Sequence, residues 1–355
     1  MWNTEPGKIA PSAFSPDRAT TVRASASPVT SAICTLFEGH YHLGLGALAN
    51  SLNSAGFTGQ IFAGYRGALP NWCQGRCAAG PDGTHVMQCG EAKIVLVPVE
   101  TERHLTNFKP EFMLHVWERF VPECERLFYF DPDIVVLAQW AYFENWADVG
   151  VALVMDGNTP LPMNHPLRVA WRRYFEPLGF KFSSHHDYHF NGGFIGVTRE
   201  TRHALVAWKD IQTAMAAVVP LDRAIGMHGA PEHMRSRLFP FYLTDQDALN
   251  IMTELDGIAL SPIGSEGMGW KVPQVYMTHA LGSPKPWLDL YLREARRGHA
   301  PGHADDVFWR YAHGPLPLFP ERQIRKIKRH IKWARVLAPF GQWMQNVRAL
   351  FSPVS

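Results

Sequence analysis

No run of apolar residues in this 355-residue chain approaches the roughly 18–20 that a membrane-spanning helix needs. The sequence also opens without the basic-then-apolar order of a secretory signal, which sets the expectation of a cytoplasmic protein. Cysteine is scarce, with five residues at 34, 73, 77, 89 and 124. So sparse and odd a set argues against a disulfide scaffold and for reduced thiols. Cys73 and Cys77 are spaced as half of a zinc site, yet no second pair completes it. Net charge is nearly nil: 34 Lys and Arg against 32 Asp and Glu give +2. The chain as a whole is therefore no polycation built to coat nucleic acid. Nor is it short of apolar residues, which make up 46% against 19% charged, so wholesale disorder is excluded. No internal repeat occurs.

Three zones are present. Residues 1–30 are rich in Ser, Ala, Thr and Pro without any period, and read as a mobile arm. Residues 31–315 alternate short apolar runs with amphipathic stretches, the pattern of an α/β domain. Strands are expected over Ala32–Phe37, Gln60–Ala63, Lys93–Val97, Leu127–Phe130, Ile134–Leu137, Val151–Met155, Gly193–Val197 and Val275–Thr278. Helices are expected over His42–Ser54, Phe112–Phe120, Glu200–Ala217 and Gln246–Leu255. Gly64–Gly90 is the least regular stretch. Residues 316–355 form a basic tail. From Glu321 to Arg348, eight Lys and Arg against one acid give +7, which leaves −5 for the rest. Ile324, Ile327, Ile331, Trp333 and Leu337 interleave with those charges, an apolar stripe beside a basic face.

Four segments carry chemistry. In Phe128-Tyr-Phe-Asp131-Pro-Asp133, a strand runs into two carboxylates. Pro132 keeps Asp131 out of the helical region, so side chains two apart can converge, as Mg²⁺ or Mn²⁺ would need. A plain Asp-Pro-Asp turn is the other reading. Asn191-Gly192-Gly193 is either a hairpin turn or a site where backbone approaches a ligand. Just before it, His185, His186, Asp187 and His189 read as solvated loop residues in preference to a metal cluster. Thr244-Asp245-Gln246-Asp247 is either a helix capping box or a ledge for a hydroxylated ligand. Last, His279-Ala-Leu-Gly282-Ser-Pro-Lys285-Pro-Trp287 places an imidazole at a strand end and a lysine between prolines. A His completes an oxygen-rich metal shell, and a Lys sits well on a diphosphate.

Together, in this order, the four segments resemble glycosyltransferase family 8, over about residues 31–290. The His-x-x-Gly-x-x-Lys-Pro-Trp string from His279 to Trp287 is the most specific element. The resemblance implies a GT-A-like fold, an α/β domain with a mostly parallel central sheet, here extended by C-terminal helix. It implies a metal-dependent, retaining hexosyltransferase that uses a nucleotide-sugar donor, a UDP-sugar in this family. Asp131, Asp133 and His279 would hold Mn²⁺ or Mg²⁺ on the donor diphosphate. Gly282 and Lys285 would contact the phosphates. Asp245 and Gln246 would face the donor sugar as the catalytic pair, with Asn191, Gly192 and Gly193 nearby. Thr35, Phe37 and Tyr41 would hold the base and ribose. The acceptor would be a saccharide or a lipid-linked sugar, its pocket built from loops such as 157–190 and 215–242. The segment Glu38-Gly-His-Tyr41 departs from the family's usual small-polar pattern.

Two other classes share this type of sheet. A nucleotidyltransferase carries a Gly-rich basic loop after its first strand, but here no Lys or Arg occurs between Glu38 and Arg66. A non-catalytic sugar-nucleotide binder would have no need of the full set of Asp131, Asp133, His279 and Lys285. The tail is expected to hold the protein on the cytoplasmic face of an anionic membrane, or else to pack back on the domain. Nucleic acid is not expected as a partner.

Overall fold

The computed structural model describes residues 30–157, 159–183, 185–222, 239–270 and 276–350, the last three by backbone alone. Apart from Thr30, the expected N-terminal arm lies outside these residues, as do Val275 and the chain beyond 350. The first apolar run forms β1 (Ser31–Glu38), with all but Glu38 buried. Its side chains alternate in the manner of a central strand: Ala32, Cys34 and Leu36 enter one core, Ile33 and Phe37 the other.

Helix α1 (His42–Ser54) spans its expected range. Then come β2 (Gln60–Arg66), the short β3 (Ala78–Ala79), β4 (His85–Cys89) and β5 (Ala92–Pro98). The irregular stretch therefore contains the edge strand β3 and its neighbour β4. Helix α2 (Lys109–Arg119) starts three residues before the expected Phe112, because Pro110 suits a first helical turn. Strands β6 (Arg126–Phe130) and β7 (Ile134–Val136) flank the acidic turn. Next are α3 (Trp140–Ala147), β8 (Val151–Val154), α4 (Pro166–Phe175) and β9 (Phe194–Thr198). Helices α5 (His203–Met215) and α6 (Thr244–Met252), then β10 (Leu260–Ile263) and β11 (Met277–His279), complete the α/β part. Three helices close the chain: α7 (Tyr291–Ala295), α8 (His303–Tyr311) and α9 (Glu321–Leu350).

Nine strands pair in the order β10-β8-β9-β6-β1-β2-β5-β4-β3. Only β4 and β9 run against the rest, so the sheet is mostly parallel, as expected. From β1 the chain builds outward through β2 and β5, then returns to place β6 on the other side of β1. That reversal opens a crevice at the C-terminal ends of β1 and β6, where ligands bind in such sheets. A separate pair, β7 with β11, sets His279 opposite Ile134 and so beside Asp133.

The C-terminal helix corrects one expectation. Ile324, Ile327 and Ile331, read as part of a membrane-facing stripe, are buried against Tyr291, Phe308 and Trp309. Ala334 and Ala338 continue that buried face, and Gly341 lies against the backbone of Ala295. Trp333 and Leu337 point the other way and are exposed. No helix among the described residues is long and apolar enough to cross a membrane.

Candidate functional site

β6 delivers the Asp-Pro-Asp loop to the crevice. The Asp131 N–H donates to the Gly193 carbonyl at 2.8 Å, and the Ile134 N–H donates to the Asp131 carbonyl at 3.0 Å. A side chain at Gly44 of α1 would strike the Pro132 carbonyl, so that glycine lets the helix press on the loop. Asp133 is buried, and Asp131 is partly exposed.

Each carboxylate turns one oxygen to an ammonium and the other toward the imidazole, and Asp131 Oδ1 also accepts from the Tyr129 hydroxyl at 3.1 Å. Asp131 Oδ1 lies 3.1 Å from Lys109 Nζ, and Asp133 Oδ2 accepts from Lys285 Nζ. The remaining oxygens face the imidazole: Asp133 Oδ1 is 3.2 Å and Asp131 Oδ2 3.9 Å from His279 Nε2. One ligand atom from each of the three residues falls within 4.8 Å of the others. Burial alone would raise the Asp133 pKa. His279 and Lys285 outweigh it and hold the carboxyl well below the usual carboxylate range.

This donor set fits a divalent cation. It offers two carboxylates and one imidazole, an oxygen-rich shell of the kind Mn²⁺ or Mg²⁺ takes. Three carboxylates, Asp131, Asp133 and Asp245, stand against two ammonium groups, Lys109 and Lys285. A further positive charge is electrostatically welcome there. Cys73 and Cys77 join no such group among the described residues.

Lys109 escaped the sequence reading. Its ammonium is almost fully buried and contacts Asp131, Asp245 (3.1 Å each) and the Gly192 carbonyl (2.8 Å). Burial opposes its charge, but the two carboxylates more than offset this, and its pKa ends above the ordinary lysine value. A signal was present: a lysine at a helix N-terminus opposes the macrodipole and asks for an anionic partner. Asp156 was also missed. It accepts from Asn191 Nδ2 at 3.0 Å and so orients that amide.

Asn191-Gly192-Gly193 is no hairpin turn; it leads from an isolated bridge at Phe190 into β9. Asn250 of α6 clamps it, accepting from the Phe190 N–H and donating to the Phe190 carbonyl. Gln246 Oε1 accepts from the Gly192 N–H at 3.1 Å. The expected capping box does not form: Leu243, not Thr244, is the N-cap, its N–H donates to Asp247, and Thr244 donates to Asn107 instead. The histidines ahead of this segment are not all solvated. His189 is buried, and burial pulls His186 and His189 down to about 4.

The result is a cavity of about 340 Å³. Phe37, Tyr41, Asp131, Asp133, Asn191, Gly192, Gly193, Asp245, Gln246, His279 and Lys285 all line it. Glu38, His104 and Tyr129 join them. Thr35 does not; it is fully buried within the sheet. Gly282 is exposed beyond the lining, with a φ of 74° that a side chain would strain.

Of the two glycines that line the cavity, Gly193 is the more crowded. A Cβ there would lie 2.6 Å from the His279 ring, 2.9 Å from Asn191 Oδ1 and 3.0 Å from Asp131 Oδ2. Gly193→Ala should therefore displace ligand groups and lower any activity of the site about a hundredfold, since misplacement near 1 Å costs that much. Steady-state kinetics with a thermal melt would check it; unchanged kinetics would show the crowding to be harmless.

No protein-family model matches the chain, and no curated protein does. Among solved structures it is similar to galactosyltransferase LgtC in complex with donor and acceptor sugar analogues. That match has 16% identity and a TM-score of 0.45, over 82% of this chain and 98% of that one. An active-site mutant of LgtC is similar at 13% identity and a TM-score of 0.44, with the same coverage.

Proposed function

We propose that this chain is a retaining glycosyltransferase that takes a hexose from a UDP-sugar and passes it to a saccharide or lipid-linked acceptor. One observation carries the reading: Asp131, Asp133 and His279 converge beside Lys285 in a cavity of about 340 Å³. When the glycosidic bond breaks, charge grows on the leaving nucleoside diphosphate. A divalent cation held by Asp131, Asp133 and His279 would supply Lewis-acid stabilisation of that charge. Lys285, already within reach of Asp133, adds a second positive charge on the same side. Phe37 and Tyr41 offer aromatic walls for the nucleoside.

On the sugar side, Asp245 and Gln246 sit at the start of α6. Both candidates for a covalent nucleophile are engaged: Asp245 Oδ2 by Lys109, and Gln246 Oε1 by the Gly192 N–H. This supports attack by the acceptor on the leaving-group face, with the diphosphate as base. Asp245 and Gln246 then position the sugar hydroxyls. A peripheral location on the cytoplasmic face of a membrane would bring a lipid-linked acceptor within reach.

The test is a panel of nucleotide sugars with Mn²⁺, with Mg²⁺ and with chelator. One UDP-sugar should be hydrolysed slowly without acceptor, and chelation should stop it. Binding without turnover under every metal would make the chain a sugar-nucleotide binder. Release of pyrophosphate from a nucleoside triphosphate and a sugar phosphate would make it a nucleotidyltransferase.

A further inference from the structure

Glu38-Gly-His-Tyr41, where this chain departs from the family pattern, has a use in the structure. Two histidines flank Tyr41, one of the aromatic walls of the cavity. Each accepts a hydrogen bond from a tryptophan. Trp287 Nε1 donates to His40 Nδ1 at 2.7 Å, and Trp72 Nε1 donates to His42 Nδ1 at 3.1 Å. An indole N–H can only donate, so both Nδ1 atoms must be unprotonated and both imidazoles neutral for these bonds to exist.

These bonds hold parts of the site together. Trp287 is buried; its ring meets Tyr41 edge-on with centroids 5.5 Å apart, and it follows Lys285 by two residues. His40 stacks on Tyr41 at 5.0 Å, and the Lys285 ammonium lies 5.7 Å from the centroid of the same ring. Trp72 sits in the irregular stretch between β2 and β3, so its bond to His42 pins that stretch to the first residue of α1. Few charges face the two imidazoles. Burial, and then the neighbouring His40, lowers the His42 pKa below the ordinary histidine value. Beyond Tyr41 stand Lys285, Asp133 and Asp131, of which Lys285 is held by Asp133. Glu38 turns to Arg66. Neither imidazole pairs with a carboxylate among the described residues, and His40 is exposed, so protons reach it freely.

We propose that His40 and His42 are positioning residues for the donor, holding Tyr41 and the Lys285–Trp287 segment in place only while their Nδ1 atoms carry no proton. A proton there turns an acceptor into a donor that faces another donor. The Trp287 N–H is then left buried without a partner, and the bond breaks. Acid therefore loosens the nucleoside wall and the diphosphate lysine together. The role of these residues rests on the transferase reading, whereas the two hydrogen bonds can be followed in the ligand-free protein.

Two readouts test it. In the ligand-free protein, the indole N–H resonances of Trp72 and Trp287, assigned with Trp72→Phe and Trp287→Phe, should move as pH falls from about 8 to about 5. Calorimetry over the same range uses Mn²⁺ and a UDP-hexose, whose diphosphate does not titrate there. Affinity should be flat above about pH 7 and about tenfold weaker near pH 5. The proton-free state is the one that binds, so affinity is lost as pH drops through the ordinary histidine value of about 6.5. His40→Asn with His42→Asn places an oxygen near each Nδ1 position that accepts at any pH. That variant should keep its affinity across the range. His40→Phe should bind weakly at every pH. His279 and the carboxylates titrate alike in all these proteins, so the difference belongs to His40 and His42. Indole resonances that stay fixed overturn the proposal. So does a double Asn variant that loses affinity as steeply as wild type, or a His40→Phe variant that binds as tightly. Resonances that move in a protein that binds no UDP-hexose at any pH would instead strike the donor reading.

Discussion

Asp133→Ala is expected to lower sugar transfer at least a thousandfold, about 4 kcal/mol of transition-state stabilisation, while the chain stays folded. Asp133 is the most constrained member of the site. One oxygen is committed to Lys285 and the other faces His279. Its pKa is held far below normal, so the carboxylate is charged at any working pH. The variant would leave a single carboxylate, Asp131, for a divalent ion. Lys285 would keep only the Ala280 carbonyl, 2.7 Å away. The fold should survive because the lost group faces the cavity and packs no core. Measuring kcat/KM across a Mn²⁺ series, beside circular dichroism melts, checks both halves. Near-normal turnover at any Mn²⁺ concentration would remove Asp133 from the chemistry.

Glu254→Ala should cost about 3–5 kcal/mol of folding stability, the usual penalty for breaking a buried ion pair from one side. Glu254 and Arg168 are both buried, 2.6 Å apart, and Arg172 reaches the second carboxylate oxygen at 2.7 Å. Arg168 also donates to the carbonyls of Leu161 and Tyr188, and Arg172 to that of Met163. Burial lowers the Arg168 pKa and raises that of Glu254 despite their mutual attraction. Desolvation thus weighs heavily on the pair, and an orphaned Arg168 would bear it alone. Arg168→Met combined with Glu254→Leu should recover part of the loss, because the fully buried charge is gone while Arg172, which is partly exposed, keeps the Met163 carbonyl. Urea melts of the three proteins would decide. A single variant as stable as wild type would mean water reaches Arg168. Since these bonds anchor the chain ahead of His189 and Asn191, the single variant should also weaken the site.

Several parts of this architecture were legible before any coordinates. β1 and α1 stood out because their patterns are local: an unbroken apolar run, then leucines on one helical face. Asp131, Asp133, His279 and Lys285 could be picked out by their immediate neighbours, above all proline, which fixes the backbone around them. Lys109 could not. Its place at a helix start asks for an anion, but the partners that answer, Asp131 and Asp245, lie far along the chain and nothing local names them. Asp156 was hidden for the same reason. α4 carries three arginines among ten residues, so it does not read as a core element, yet Arg168 is buried by a partner 86 residues on. α9 has two apolar faces. The choice between them depends on Tyr291, Phe308 and Trp309, which no pattern within the helix records.

The pairing of β7 with β11 has a thermodynamic side. Asp133 and Lys285 are 152 residues apart in the chain and meet only when the sheet and its C-terminal connections are in place. A ligand that grips both therefore binds the native state and has no counterpart in the unfolded chain. By mass action it stabilises the whole domain, by about 2.7 kcal/mol at a hundred times its dissociation constant. Occupancy of this crevice and resistance to unfolding are thus two readings of one equilibrium.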